Sequence, residues 1–224
     1  NFEMIYDLAS DTGVPMLRYL LNSITITVIT VVMSIILTAR SAYALSKKKF
    51  RAKEWLFKLN QAALMFVPTA VMVARYLVIA KTGMLNNVLS HVLPLLAMPV
   101  GLFLVKQFVD QVPDEVLEAA RIDGAGELKI LFRMVFPLIK PALATVGILS
   151  FQMIWSATEA SNFYMTDETM KTFAFYLSTF TLSNNPLMTG MAAAASLIMF
   201  VPNLVIFIVL QSSVMNTMSH SGIK

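Results

Sequence analysis

The sequence predicts an all-α membrane protein: a polytopic bundle of about five transmembrane helices joined by short polar segments. Three observations carry this reading. Of the 224 residues, 57% are hydrophobic and only 13% are charged, about half the charge of an average soluble domain. The charges cluster, leaving apolar windows of about 20 residues, the length that crosses a hydrocarbon core of roughly 30 Å. Prolines interrupt several windows, and a span tolerates them only where neighbouring helices or polar side chains satisfy the freed carbonyls.

The first span runs from Leu20 to Leu45 and is followed at once by KKKFRAK, Lys47 to Lys53. Arg40, in its last turns, can snorkel to the interface. A second span reads from Gln61 to Ala80 and is kinked at Pro68; Arg75, near its far end, is expected to snorkel or to pair with a neighbouring subunit. The third, Val88 to Phe108, is bent by Pro94, Pro99 and Gly101 and so belongs inside the bundle. The fourth covers Ala142 to Ala160 and the fifth Leu187 to Leu210, with a loop of about 26 residues between them. Gly190 with Ala194, and Ala192 with Ser196, repeat small residues at i, i+4, the spacing that lets helix backbones approach closely in lipid.

Basic residues orient the chain. Lys47, Lys48, Lys49, Arg51, Lys53 and Lys58 crowd one connecting segment, and Lys106, Arg121, Lys129, Arg133 and Lys140 another, against Arg18, Lys81 and Lys171 in the opposite loops. By the positive-inside rule the crowded segments are cytoplasmic. Residues 1–19 become an extracytoplasmic segment; beginning at Asn1 with three acids and one Arg, it resembles neither an initiator Met nor a signal peptide, and the native N-terminus is expected to be missing.

Several function classes drop out. With no cysteine, a disulfide framework, a thiolate metal site and a Cys nucleophile are all excluded. The two histidines, His91 and His220, fall at opposite membrane faces and cannot share a metal. Neither a paired-carboxylate site within the spans nor a Gly-rich phosphate loop is present, so an embedded enzyme has no residues to use and any ATP must be hydrolysed by another chain. A nucleic-acid partner is not expected. A secondary transporter is a weaker alternative, because no span holds a buried ionisable pair and no inverted repeat is visible.

The polar segment 110–140 reads QVPDEVLEAARIDGAGELKILFRMVFPLIK from Gln111. Asp114, Glu115 and Glu118 sit in the first turns of a helix opened by Pro113, where carboxylates suit the positive end of the dipole. Gly124 and Gly126 break it. A second helix, Glu127 to about Phe136, places Leu128, Leu131, Phe132 and Val135 on one apolar face before Pro137 stops it. Ala119 and Ala120 leave a low surface beside Glu118 and Arg121, a shape suited to entering a partner's groove; a loop lying apolar side down on the membrane is the alternative.

These residues resemble a known family. Glu118-Ala119-Ala120, three residues, Gly124, nine residues, then Met134-x-Phe136-Pro137 matches the EAA signature of the membrane subunits of binding-protein-dependent ABC importers, with Met134 and Phe136 standing where the signature has Ile and Leu. The chain looks most like the carbohydrate branch, in particular the shorter, maltose-permease-like second subunit, from about Leu17 to Lys224. The resemblance implies that residues 20–224 form the transmembrane domain of such an importer, with the first of the usual six spans absent here. It also implies that 110–140 is a coupling segment, with Glu118, Ala119 and Ala120 seated in a cleft of an ATP-hydrolysing subunit, Arg121 and Asp123 at the contact, and Gly124 and Gly126 at the turn. The implied partners are a second permease subunit, two ATP-binding subunits carrying the ATP and Mg, an extracytoplasmic solute-binding protein and membrane lipid, with no cofactor in this chain. The implied function is import of a sugar or oligosaccharide; a permease for a non-sugar solute is the alternative.

For the substrate pathway, the fourth span offers Gln152, Trp155, Thr158 and Glu159, hydrogen-bonding groups beside an aromatic face; relatives carry a Trp-Asn-Glu-Phe-like run where this chain has WSATEAS. The tail QSSVMNTMSHSGIK resembles family tails that reach the ATPase dimer.

Overall fold

The computed structural model describes residues 13–181 and 186–221, a succession of helices and turns with no strand among the described residues. Helix α1 spans Met16–Lys47; its 32 residues reach roughly 48 Å at 1.5 Å per residue. Then come α2 (Lys53–Ala63), a 3₁₀ turn (Pro68–Val71), α3 (Met72–Lys81), α4 (Leu89–Leu96) and α5 (Pro99–Asp110). Helix α6 is Asp114–Ile122 and α7 is Glu127–Leu138, with a π-turn over Leu131–Val135. The chain closes with α8 (Lys140–Trp155), α9 (Glu159–Phe163), a 3₁₀ turn (Glu168–Met170), α10 (Phe173–Thr181) and α11 (Pro186–Ser221). Of the predicted N-terminal segment, residues 1–12 lie outside the described ones, as do 222–224 of the tail; the backbone from Gln211 to Ser221 continues α11.

Among the described residues, two helices are alone long and apolar enough to cross a membrane, α1 and the Met188–Val209 part of α11; up to four spans result if α4 with α5, and α7 with α8 and α9, each count as one broken span. The predicted second span is not one helix. Helix α2 ends at Ala63 and a 3₁₀ turn begins at Pro68, so Pro68 marks a full break rather than a kink; the ring removes the N–H that would continue the ladder. The third is divided at Met98, whose φ of −119° and ψ of 84° are the extended geometry that a following proline imposes. The fourth stops at Trp155 and resumes as α9.

The chain divides into two compact units, one from the described parts of Asn1–Val31, Val71–Leu96 and Phe151–Val209, the other from Val32–Ala70, Ala97–Ser150 and the described part of Leu210–Lys224. In the first, Tyr19 stacks on Tyr176 with ring centroids 4.8 Å apart, and Phe173, Phe180, Met191, Ala194 and Ala195 complete the core. The connector before α10 is tied down rather than loose: Asn22 Nδ2 donates to the carbonyls of Thr169 at 2.7 Å and Lys171 at 3.0 Å, and the Phe173 N–H donates to Ser23 Oγ at 2.8 Å. Of the predicted small-residue pairs, Ala192 and Ala194 are buried, while Ser196 turns outward.

In the second unit Ala39 and Ala42 of α1 are fully buried against Val105 and Val109 of α5, Leu117 of α6, Ile130 and Val135 of α7, and Val146 of α8. Small residues on α1 make this closeness possible. Along α1 as a whole, Ser23, Thr27, Thr30, Ser34 and Thr38 are all buried, a hydroxyl stripe at helical spacing that hydropathy does not reveal. Thr30 Oγ1 donates back to the Ile26 carbonyl at 2.6 Å. Ser34 Oγ is the one buried side-chain oxygen without a partner among the described residues. An unmet buried hydroxyl costs about 1–3 kcal/mol. Ser34→Ala is therefore expected to keep or raise the thermal unfolding midpoint of the detergent-solubilised protein, while Thr30→Ala lowers it; a clear drop for Ser34→Ala contradicts this packing.

Candidate functional site

The segment 110–140, expected from the sequence to couple to a partner, is built on a tightly closed turn. Helix α6 ends with Gly124 at φ +77°, the Ala125 N–H donating to the Ala120 carbonyl at 2.9 Å and the Gly124 N–H to Arg121 at 3.0 Å. That is a Schellman closure, with the half-buried Ala125 packed on the core beside Ala120. The left-handed φ is why position 124 favours glycine. Gly126 differs: its φ is −66° and nothing lies within 4 Å of where a Cβ would stand, so no geometry here requires glycine.

One carboxylate binds this turn to the end of α1. Glu127 Oε2 accepts from Tyr43 Oη at 2.7 Å, and Oε1 accepts from Arg121 Nε at 3.2 Å and pairs with Lys48. Arg121 Nη2 also reaches Tyr43 Oη at 3.4 Å, closing a ring. One turn away, Lys47 Nζ donates to the Val112 carbonyl at 2.6 Å and to Asp114 Oδ1 at 2.9 Å, and Ser46 Oγ bonds Asp110. Tyr43 and Lys47 thus tie the last turns of α1 to the two ends of α6 through Arg121 and Asp114, while Ser46 and Lys48 hold the end of α5 and the start of α7. Hydrogen bonds from Lys48 and Tyr43 hold the Glu127 carboxyl well down, at about 2, and the bond from Lys47 lowers Asp114.

The predicted coupling residues separate into two groups. Glu118, Ala119 and Asp123 are exposed, whereas Ala120 faces inward and is buried in the core, so only one of the two alanines offers a low surface. Arg121 is engaged within the chain. Ile122, which the sequence reading missed, is 87% exposed; with Glu115, Glu118 and Ala119 it forms an outward stripe at i, i+3, i+4, i+7. The apolar face expected on α7 is also rearranged. Ile130, Leu131 and Val135 point into the core while Leu128 and Phe132 are exposed, and a π-turn covers Leu131–Val135. Pro137 does not stop the helix, which runs on to Leu138 and breaks at Ile139.

Two of the four predicted pathway residues, Trp155 and Glu159, are hydrogen-bonded within the chain. Trp155 is buried, its Nε1 donating to the Met199 carbonyl at 3.0 Å, a carbonyl that also accepts from Asn203 Nδ2 at 3.1 Å, three residues before Pro202 inside α11. Glu159 pairs with Arg75 at 2.8 Å and accepts from Tyr164 Oη at 2.7 Å, so Arg75 finds its partner within this chain. Beside them a cavity of about 40 Å³ has room for a few waters rather than a sugar ring. Thr158 stands at the N-cap position of α9 without a side-chain capping bond and is half-buried, and Gln152 is exposed. His91, buried, donates from Nε2 to the Met170 carbonyl at 3.1 Å.

A family model described as binding-protein-dependent transport system inner membrane component matches residues 35–214. The chain belongs to this family. This inner membrane component is 31% identical over 210 residues to the melibiose/raffinose/stachyose import permease protein MelC of Bacillus subtilis, across 91% of the chain and 75% of the relative. It is 27% identical to the arabinooligosaccharides transport system permease protein AraQ of Halalkalibacterium halodurans, across 91% and 72% of the two chains. A crystal structure of a bacterial ABC transporter involved in the import of the acidic polysaccharide alginate superposes with a TM-score of 0.78 at 25% identity, covering 88% of this chain and 74% of that one. The helical membrane bundle and the importer-permease family read from the EAA signature both stand.

Glu127 gives a pH test of the ring. Its folded pKa, about 2, lies below its unfolded value, so its contribution is fully present above the unfolded value of about 4.3 and fades as pH falls towards the folded one. The stability gap between the wild type and Glu127→Gln should stay constant from about pH 6 to 8 and shrink on acidification through the carboxylate range. Thermal unfolding across pH measures it; a gap that widens in acid refutes the ring.

Proposed function

We propose that this subunit carries a sugar or oligosaccharide across the cytoplasmic membrane. In this reading it pairs with a second permease, receives solute from an extracytoplasmic binding protein, and is driven by two ATP-binding subunits that hold the ATP and Mg. The substrate class rests on the names of the relatives, which import melibiose, raffinose, stachyose and arabinooligosaccharides. The basic residues around 47–58 and 106–140 support a cytoplasmic coupling segment.

The observation that carries the coupling role is the outward stripe of α6, Glu115, Glu118, Ala119 and Ile122, on a helix whose two ends are fastened to α1. An acidic, small and apolar edge fits a groove on a partner: Ala119 permits close approach and Ile122 supplies buried apolar area. Glu118 is exposed without an ion pair among the described residues, leaving its charge for that partner. Force applied to α6 then passes into α1 through Tyr43, Lys47 and Lys48, and switches the permease pair between inward-facing and outward-facing states. Gln152 and Thr158 line the pathway in this reading; Trp155 and Glu159 position it by fixing α11 and α3.

In right-side-out vesicles of the assembled transporter, with ATP enclosed and the binding protein outside, Glu118→Ala/Gly124→Ala and, separately, Ile122→Asp should lower ATP-driven oligosaccharide uptake at least about tenfold, the effect of losing about 1.4 kcal/mol of contact. Chain abundance in the membrane stays normal while ATP-binding subunits are lost on purification. Unchanged uptake in both variants refutes the coupling role, and ATP-independent uptake by the wild type refutes the importer reading.

A further inference from the structure

The basic block after α1 is not uniformly used. Lys47 is taken by Asp114 and the Val112 carbonyl, Lys48 by Glu127, Lys53 by the Ser46 carbonyl and Lys106 by Asp110. Lys49, Arg51 and Lys58 are exposed and make no ion pair within 4 Å among the described residues, Lys49 acting on Asp114 only at longer range; Glu54, one turn before Lys58, makes none either.

Helix α2 is two-faced in a way that places these charges. One face packs on α5: Phe57 stacks on Phe103 with centroids 6.3 Å apart, Lys106 Nζ lies 4.8 Å over the Phe57 ring, and Asn60 Nδ2 donates to the Pro99 carbonyl at 3.2 Å. The opposite face, at i, i+3, i+4 and i+7, carries Trp55, Lys58, Leu59 and Ala62. Trp55 is 64% and Leu59 53% exposed, and Phe50 beside Arg51 is 40% exposed. The patch follows directly on α1, a helix apolar enough to cross a membrane up to Lys47, so it lies at the level where hydrocarbon gives way to headgroups. Uncompensated basic side chains flanking an exposed Trp and aliphatic residues have the chemistry of a lipid headgroup and its acyl boundary.

We propose that Lys49, Arg51 and Lys58, with Trp55 and Leu59, bind an anionic phospholipid. Phosphate and glycerol oxygens meet the three cations while Trp55 and Leu59 lie along the upper acyl chain. Local enrichment of anionic lipid follows, and it weakens as salt screens the charges. The site depends on the membrane setting of the chain and not on which solute it carries.

The test places a benzophenone amino acid at Leu59 in the assembled transporter, reconstituted in phosphatidylcholine vesicles with a minority of phosphatidylglycerol. Mass spectrometry then identifies the photo-adducts. Phosphatidylglycerol adducts should exceed the bulk mole fraction at least about threefold, fall to that fraction in Lys49→Gln/Arg51→Gln/Lys58→Gln, and persist in the charge-preserving Lys49→Arg/Arg51→Lys/Lys58→Arg. Adducts in bulk proportion in the wild type, enrichment that survives the triple Gln variant or disappears in the charge-preserving one, or crosslinks to a protein neighbour in place of lipid overturn the proposal.

Discussion

The constraint on which the second unit depends is the carboxylate of Glu127, held between Tyr43, Arg121 and Lys48. Its weight does not come from the number of ion pairs. Lys48, Arg121 and Glu127 side chains are 38%, 37% and 45% exposed, and exposed pairs contribute about 0–1 kcal/mol each. What distinguishes the ring is Tyr43, only 5% exposed, whose hydroxyl bonds a charged acceptor at 2.7 Å. Such a bond fixes direction as well as distance. With Lys47 fastening the other end of α6, the last turn of α1 and the coupling segment share one local frame.

Much of this was legible in the sequence. EAARIDGAG announced a helix, a glycine turn and a second helix, and all three occur, with Gly124 at the left-handed φ that its place in the pattern implied. The inward face of Ala120 was not legible, because two adjacent alanines carry no amphipathic signal of their own. Neither was the exposure of Leu128 and Phe132, since which side of α7 is covered depends on packing against α1 and α5 rather than on local propensity. The lysines after α1 were read for orientation alone. Their division into fastened and unfastened members needs the positions of Asp110, Asp114 and Glu127, which are distant in sequence.

Proline sets the other limit on reading spans from hydropathy. Pro68 and Pro99 divide windows that look continuous on an apolar scale. In the first unit the ionisable groups in such windows are matched within the chain: Arg75 meets Glu159, and Glu159 meets Tyr164. Both side chains are partly exposed, at 26% and 32%, and their mutual pairing gives Glu159 a structural reason to occupy a span without contact to a solute. A sugar-permease reading therefore rests on family membership and on the coupling edge, not on that glutamate.

The central claim is that α6 and the end of α1 move together. Its most direct measurement is the distance between spin labels at the exposed Ser41 and Val116, in the assembled transporter with and without ATP under conditions that block hydrolysis. A shared frame predicts one narrow distance distribution whose centre shifts by less than about 2 Å, well below the roughly 5 Å of a one-turn helix ratchet. A shift of several ångströms, or two populations exchanging with nucleotide, would show that the segment moves independently of α1 and would contradict the account.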